Sequence, residues 1–307
     1  MSRVLITGAN GFVGRNIVEQ LLLKDYNVIA TGKGHCRFSS SNENFLYETM
    51  DFVDAERIKA VFEKHAPDIV VHCGALSKPD ECEQNKESAF RINVSGTIYL
   101  LNEAAKYGCF FIFLSTDFIF SGEEGMYKEE DTPAPVNYYG QTKLLAEEGV
   151  KNYPFSWTIV RTVLVYGPSD GSRLNMVTMV ADALHANKTL HIYDDQVRTP
   201  TYVVDLAKAI VTIIEKRATG VYHISGKDVC TPYQMACAVA HYLGFDENKI
   251  KRVTAETFQQ GAKRPPKTGF TIEKAQRELH YQPLSFDEGL SLTLKESNYF
   301  ATLEKNK

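Results

Sequence analysis

No stretch of this chain approaches the roughly 18 apolar residues that a membrane-spanning helix needs. The longest candidate, residues 110–114, has the length of a strand. A signal-peptide core is not expected either, because Ser2 and Arg3 lead directly into the short run Val4-Leu5-Ile6. Basic residues are not in excess: Lys and Arg number 34 against 38 Asp and Glu. That balance argues against nucleic acid or an anionic membrane as the main partner. Cys-x-x-Cys pairs are missing. The six cysteines lie scattered at 36, 73, 82, 109, 230 and 237, and none joins a His cluster with zinc spacing, so no metal is expected. Several sit in apolar contexts, where thiols behave as small hydrophobes and fit a reducing cytoplasm. Internal repeats and low-complexity linkers are also absent.

What remains is an ordinary globular composition, 44% hydrophobic and 23% charged over 307 residues, with room for about two domains. The first half alternates β-rich runs with helical patterns. Strands are expected at residues 4–7, 27–31, 45–47, 68–72, 110–115 and 157–161. Helices are expected at 12–23, 54–65 and 88–107, and after Pro135. Apolar strands separated by helices imply a parallel sheet covered on both faces. Right-handed crossovers then give an α/β, doubly wound Rossmann fold. After Tyr166-Gly167-Pro168 the rhythm loosens into a smaller, mixed α/β C-terminal substrate region. The expected division is 1–165 plus about 196–218 for cofactor, and 166–195 plus 219–307 for substrate, with a cleft between them. The short strand at 221–224 is expected in the smaller region.

ITGANGFVGRNIV, residues 6–18, reads as strand, glycine-rich turn and helix. Gly8 permits the tight turn, Gly11 lets backbone approach a pyrophosphate, and Gly14 lets the helix pack on the strand. Free N–H groups at the helix start attract an anion. Asn10, Phe12 and Val13 belong to the same candidate site. The stretch after the second strand, Thr31 to Arg37, lacks the carboxylate that would hold an NAD ribose. Lys33 and Arg37 suit a 2′-phosphate instead, which favours NADP(H) and leaves room for NAD(H). Asp51, followed by Phe52, is a candidate adenine contact, with Asp54 better placed as the next N-cap. Cys73, Gly74 and Ala75 end the fourth strand where a loop would run along the cofactor. Asn93 sits poorly in mid-helix; a polar contact and a solvated side chain both fit. LSTDFIFSG, residues 114–122, leaves the fifth strand with Ser115 and Thr116, whose hydroxyls would face the crevice or serve the turn.

PVNYYGQTKLLAEE, residues 135–148, places Tyr139 and Lys143 four apart and so on one helix face. Tyr138 points away from that lysine. An ammonium beside a phenol lowers its pKa from about 10 and makes Tyr139 a usable acid. The same residues also suit a packed tyrosine and a solvated lysine.

Together, the glycine turn, the Ser-Thr after a strand and Tyr139-x-x-x-Lys143 resemble the extended short-chain dehydrogenase/reductase superfamily. The stretch from LSTDFIFSG to LLAEE, with VRTVLVYGP and DDQVRTPTYVVDLAKAI, is similar to its dTDP-4-dehydrorhamnose reductase (RmlD-like) branch. The resemblance implies NADPH-dependent reduction of a 4-keto nucleotide sugar. Tyr139 would donate the proton, Lys143 would assist it and bind the nicotinamide ribose, and Thr116 would be the catalytic hydroxyl. Ser77, Lys78, Asn175 and Arg198 would lie on the substrate side. Lys78 and Arg198 depart from the branch's smaller residues and would bring positive charge to the cleft. With Arg173, Lys263, Arg264 and Lys267, Arg198 is expected to make the cleft cationic; pairing with Asp194 or Asp195 is its alternative. Two rivals follow from the same resemblance. One is a nucleotide-sugar epimerase or dehydratase. The other is a cofactor-binding regulatory subunit like the methionine adenosyltransferase beta subunit. Oligomeric state stays open, a homodimer included.

Overall fold

The computed structural model describes residues 2–37, 40–169, 174–257 and 261–296. Eleven strands are present among them: β1 (Arg3–Thr7), β2 (Asn27–Gly32), β3 (Phe45–Thr49), β4 (Ile69–His72), β5 (Phe110–Thr116), β6 (Trp157–Thr162), β7 (Val165–Tyr166), β8 (Leu190–Tyr193), β9 (Thr201–Tyr202), β10 (Gly220–His223) and β11 (Ile250–Val253). Seven of them form one parallel sheet in the order β10-β6-β5-β4-β1-β2-β3. The helices are α1 (Phe12–Leu22), α2 (Ala55–His65), α3 (Pro79–Gln84), α4 (Lys86–Phe90), α5 (Gly96–Tyr107), α6 (Tyr138–Lys151), α7 (Met176–His185), α8 (Val203–Lys216), α9 (Pro232–Leu243), α10 (Glu273–Leu279) and α11 (Phe286–Glu296). None is long and apolar enough to cross a membrane.

Strands that are apolar throughout still obey the pleat. Val4, Ile6, Val28, Ala30, Ile69, Val71 and Ile112 face a core shared with α1, α8 and α10. Leu5, Ile29, Val70, Phe111, Phe113 and Ile159 face the opposite core, with α2, α5 and α6. β1, β2, β4, β5 and β6 are buried on both faces, which is why alternation of apolar and polar residues is missing from their sequences. The 221–224 segment, expected in the smaller region, is instead β10. It pairs with β6, from Gly220 against Thr158 to His223 against Arg161. A four-residue apolar run carries no mark of which sheet it will join. α10 likewise packs on the Rossmann sheet. A separate core joins α7, α9, α11 and β8.

Two histidines lie buried in this framework. The Thr97 hydroxyl donates to the Asn93 carbonyl at 2.7 Å, so it accepts from His72 Nε2 at 3.0 Å; His72 Nδ1 then accepts from Thr7 at 2.6 Å. His223 Nδ1 donates to the Tyr127 carbonyl at 3.0 Å, and its Nε2 faces Arg161 at 3.3 Å. Burial, first of all, holds both well below the ordinary range. The unfolded chain therefore takes up protons below about pH 6.5 that the fold refuses. Stability should be complete above that pH and fall as pH drops toward the folded values. Thermal melts between pH 7.5 and 5 should show this decline, and His223→Gln should lessen it. A melting temperature that stays level over that range rules the account out.

Candidate active site

Strand order reverses at β1, which has β2 on one side and β4 on the other. Ligands of doubly wound sheets bind in the crevice at such a switch point. Gly8 follows β1 with φ +69°, a conformation that disfavours a side chain. A Cβ on Gly14 would run into the Gly8 carbonyl. Gly11 is the N-cap of α1 and no side chain caps that helix, so its first-turn N–H groups are available to an anion. Phe12 and Val13 form that first turn, half-buried. Across the crevice, the Cys73 and Gly74 amides bond to the Thr7 carbonyl and hydroxyl at 3.3 and 3.4 Å. Ala75 follows them, half-buried. Burial pushes the Cys73 thiol up to about 12.

The loop after β2 is built differently from expectation. Asn10 does not turn toward a pyrophosphate. Its side chain donates to Tyr47 Oη at 2.7 Å and to the His35 carbonyl at 3.0 Å, and accepts from the Arg37 amide at 3.0 Å. The Lys33 amine is paired with Asp51 at 2.9 Å, so the two proposed cofactor contacts hold each other. Tyr47 Oη and Asn10 stand 3.0 and 3.1 Å from where a Cβ on Gly32 would lie. They occupy the space a carboxylate there would use. Phe52 turns inward, 9% exposed, against Gly74, Gly96 and His72. It is core rather than crevice, because those glycines leave a slot for its ring.

α6 brings the tyrosine and lysine to the end of β5. Asn137 caps it, accepting from the Gly140 amide at 2.9 Å. A Cβ on Gly140 would run into the Phe118 carbonyl, so glycine lets the helix lie directly on the segment after β5. The Tyr139 ring consequently meets Phe118 edge to face, centroids 6.0 Å apart. Lys143, one turn on, is 3% exposed. Its amine donates to the Leu114 carbonyl at 2.8 Å and lies 3.8 Å from the Phe113 ring centroid. Burial lowers it to about 7, with Glu147 and Cys73 pulling the other way. The solvated-lysine reading is thereby overturned. Tyr138 is turned elsewhere: its amide bonds to Glu83 at 2.6 Å, and Lys86 stands over its ring.

Thr116 ends β5, buried, with its hydroxyl donating to Asp117 Oδ1 at 3.0 Å and accepting from the Phe118 amide at 3.2 Å. Ser115, on the other face, is buried without a hydrogen-bond partner among the described residues. Asn93 is neither solvated nor idle. It lies in a π-helical turn, Arg91–Ser95, between α4 and α5. Its side chain bonds both polar backbone atoms of Leu76 at 2.8 and 3.0 Å, and Thr142 at 2.9 Å. Thr142 in turn donates to the Tyr139 carbonyl at 2.8 Å. The extra residue in the π turn thus ties the loop after β4 to the helix of Tyr139.

The cations expected in the cleft are mostly committed elsewhere. Arg198 is 3% exposed and pairs with neither Asp194 nor Asp195. Its guanidinium donates to the carbonyls of Val197, Pro265 and Pro266 at 2.8, 2.8 and 3.1 Å and to Gln196 at 3.2 Å; Asp117 lies 4.0 Å away. Arg264 grips Asp80 bidentately at 2.5 and 2.6 Å. Lys78 is exposed and pairs with Glu81 at 2.6 Å. Asn175 caps α7, accepting from Val177 and Thr178 amides and donating to the Gly167 carbonyl at 2.8 Å. Lys263 and Lys267 are exposed, Ser77 is half-buried, and Arg173 lies outside the described residues. Residues 261–268 form a strap held by Asp80, by Asn137 bonding the Lys263 carbonyl at 2.8 Å, and by Thr268 donating to Asp117 Oδ2. In the sequence this strap shows only basic charge and the pair Pro265-Pro266, which lacks backbone N–H donors; the Pro266 carbonyl accepts from the Val197 amide at 2.7 Å as well as from Arg198.

Fold and site define a class: an NAD(P)-dependent oxidoreductase of the extended short-chain dehydrogenase/reductase type. The chain belongs to the family described as RmlD substrate binding domain, whose model matches residues 2–299. Among solved structures it is similar to a dTDP-4-dehydrorhamnose reductase from Bacillus anthracis str. Ames in complex with NADP. The TM-score is 0.85 at 28% identity, covering 96% of this chain and 99% of the other. Spore coat polysaccharide biosynthesis protein SpsK of Bacillus subtilis (strain 168) is 31% identical over 297 residues, 96% of this chain and 98% of that protein. Methionine adenosyltransferase 2 subunit beta of Xenopus tropicalis is 32% identical over 260 residues, 83% of this chain and 76% of that protein.

Proposed function

We propose that this protein reduces a 4-keto nucleotide sugar with NADPH, in the manner of dTDP-4-dehydrorhamnose reductase. The observation that carries the reading is the buried Lys143 amine one helical turn from Tyr139, on a helix that Gly140 lets rest against the segment bearing Thr116. The first turn of α1 would hold the pyrophosphate, and Lys143 the nicotinamide ribose. The bound nicotinamide supplies the hydride. Tyr139 delivers a proton to the ketone oxygen, and Thr116 hydrogen-bonds that oxygen as charge develops on it. The relative in complex with NADP supports the cofactor choice. Turnover of a panel of nucleotide-linked 4-ketosugars with NADPH tests the whole reading; inactivity toward all of them, with reduction of small uncharged ketones, removes the substrate assignment.

NADPH preference has its own test. Arg37 and Lys33 are the cations beside the crevice loop, and Lys33 must exchange Asp51 for a 2′-phosphate. Lys33→Ala with Arg37→Ala should weaken NADPH binding about tenfold or more while changing NADH binding little, since only NADPH offers the charge-assisted bonds. Equal losses by calorimetry would show that neither residue reads the phosphate.

A second reading rests on the methionine adenosyltransferase relatives: a cofactor-binding regulatory subunit. Stable co-purification with a methionine adenosyltransferase catalytic subunit, without ketosugar turnover, would favour it.

A further inference from the structure

The hydroxyl of Thr116 has one proton, and in this structure that proton is directed at Asp117 Oδ1, 3.0 Å away. An ionised carboxylate can only accept. While Asp117 is ionised, Thr116 therefore has nothing to donate to a ketone oxygen unless it breaks this bond. We infer that Asp117 is a positioning residue: as a neutral carboxyl it frees the Thr116 proton for the substrate oxygen, and as a carboxylate it withholds it. The inference rests on the reductase reading for the identity of the oxygen.

The surroundings suit both forms without movement of heavy atoms. A protonated Oδ1 would donate to Thr116 across the same 3.0 Å, reversing the bond. The Thr116 oxygen has two lone pairs, so it keeps the Phe118 amide at 3.2 Å as well. Asp117 Oδ2 accepts from Thr268 in either form. Asp117 is 3% exposed, and a charge there is disfavoured by desolvation. Among the described residues, the charged group that faces it is Arg198, from the loop before β9, at 4.0 Å. The strap contributes neutral Thr268, and its Arg264 is bound to Asp80. α6 presents the Tyr139 ring by way of Phe118, while Lys143 is bonded to the Leu114 carbonyl. Arg198 does not require a carboxylate partner, because three backbone carbonyls and Gln196 already accept from it. Burial is the largest influence on both, raising Asp117 and lowering Arg198 against their mutual attraction.

The test uses the full chain with carboxyl-labelled aspartate, with and without NADPH. Asp117, assigned by loss of its signal in Asp117→Asn, should still be protonated at a pH where exposed aspartates have ionised. Thr116→Val should shift its titration. Titration together with the exposed residues, or below them, overturns the inference. Kinetics supply a second arm. The amide of Asp117→Asn can donate to Thr116 as a neutral carboxyl does, so it should lose less than about tenfold in kcat. Asp117→Ala withholds no proton but removes the partner that orients the Thr116 hydroxyl, so it should lose more than Asp117→Asn, up to about 100-fold, the scale of one oxyanion donor, with little change in KM. In a Thr116→Val background neither substitution should lower kcat further. Equal damage from Asn and Ala, or undiminished damage without Thr116, would show that the ion itself or the fold is what matters. Should the wild type reduce no nucleotide-linked ketone, the reductase reading fails. The carboxyl titration and its shift in Thr116→Val then still decide the hydroxyl switch.

Discussion

Tyr139→Phe is expected to lower turnover by about 100-fold or more, the usual scale for a general acid, while NADPH still binds. The phenol lies on α6 one turn before a lysine sealed beneath it, bonded to the Leu114 carbonyl and 3% exposed. Removing only the hydroxyl leaves the ring contact with Phe118 in place, so the loss should appear in kcat with stability nearly unchanged. Tyr138→Phe is the control. That side chain is turned toward Lys86, and its loss should leave turnover within about threefold, as for residues that do not touch the reacting atoms. The reverse pattern, an active Tyr139→Phe and an inactive Tyr138→Phe, would transfer the role to the neighbouring tyrosine.

The second large effect is on stability. Arg161 of β6 holds Glu147 of α6 bidentately, at 3.0 and 2.8 Å, with side chains 2% and 0% exposed. Glu147→Leu would leave a guanidinium buried opposite a hydrocarbon, with His223 and the Glu129 carbonyl as its remaining polar contacts. Breaking such a pair from one side costs about 3–5 kcal/mol, a large part of the roughly 5–15 kcal/mol that holds a domain folded. Arg161→Leu should be similarly harmful. The double variant should recover much of the loss, because neither buried charge then remains uncompensated. Urea unfolding of the two singles and the double gives the comparison. Singles that lose less than about 1 kcal/mol, the range of a surface pair, would mean that water reaches this site. The same helix carries Tyr139 and Lys143, so the singles should also lose activity at temperatures where they remain folded.

Much of this protein was legible from neighbouring residues alone. The alternation of apolar runs with helical patterns marked the sheet strand by strand, because strand and helix periodicities repeat within a few residues. The glycine turn was readable because φ at Gly8 and the approach at Gly14 are local demands. Tyr139 and Lys143 were readable because a four-residue interval is one helical turn. Partners were not. The sequence had β10 in the smaller region, and only its register against β6 placed it in the main sheet. In sequence Arg198 reads as a cleft cation or as a partner of Asp194 or Asp195, and tertiary structure instead seals it against the strap carbonyls. Asn175 became a helix cap and Lys33 the partner of Asp51. Asp117 meets Thr268 across 151 residues, and Asp80 meets Arg264 across 184. A backbone preference is settled by the residue and its neighbours. The role of a charge or hydroxyl depends on burial and on which groups folding brings within about 3 Å, and those contacts come from distant parts of the chain.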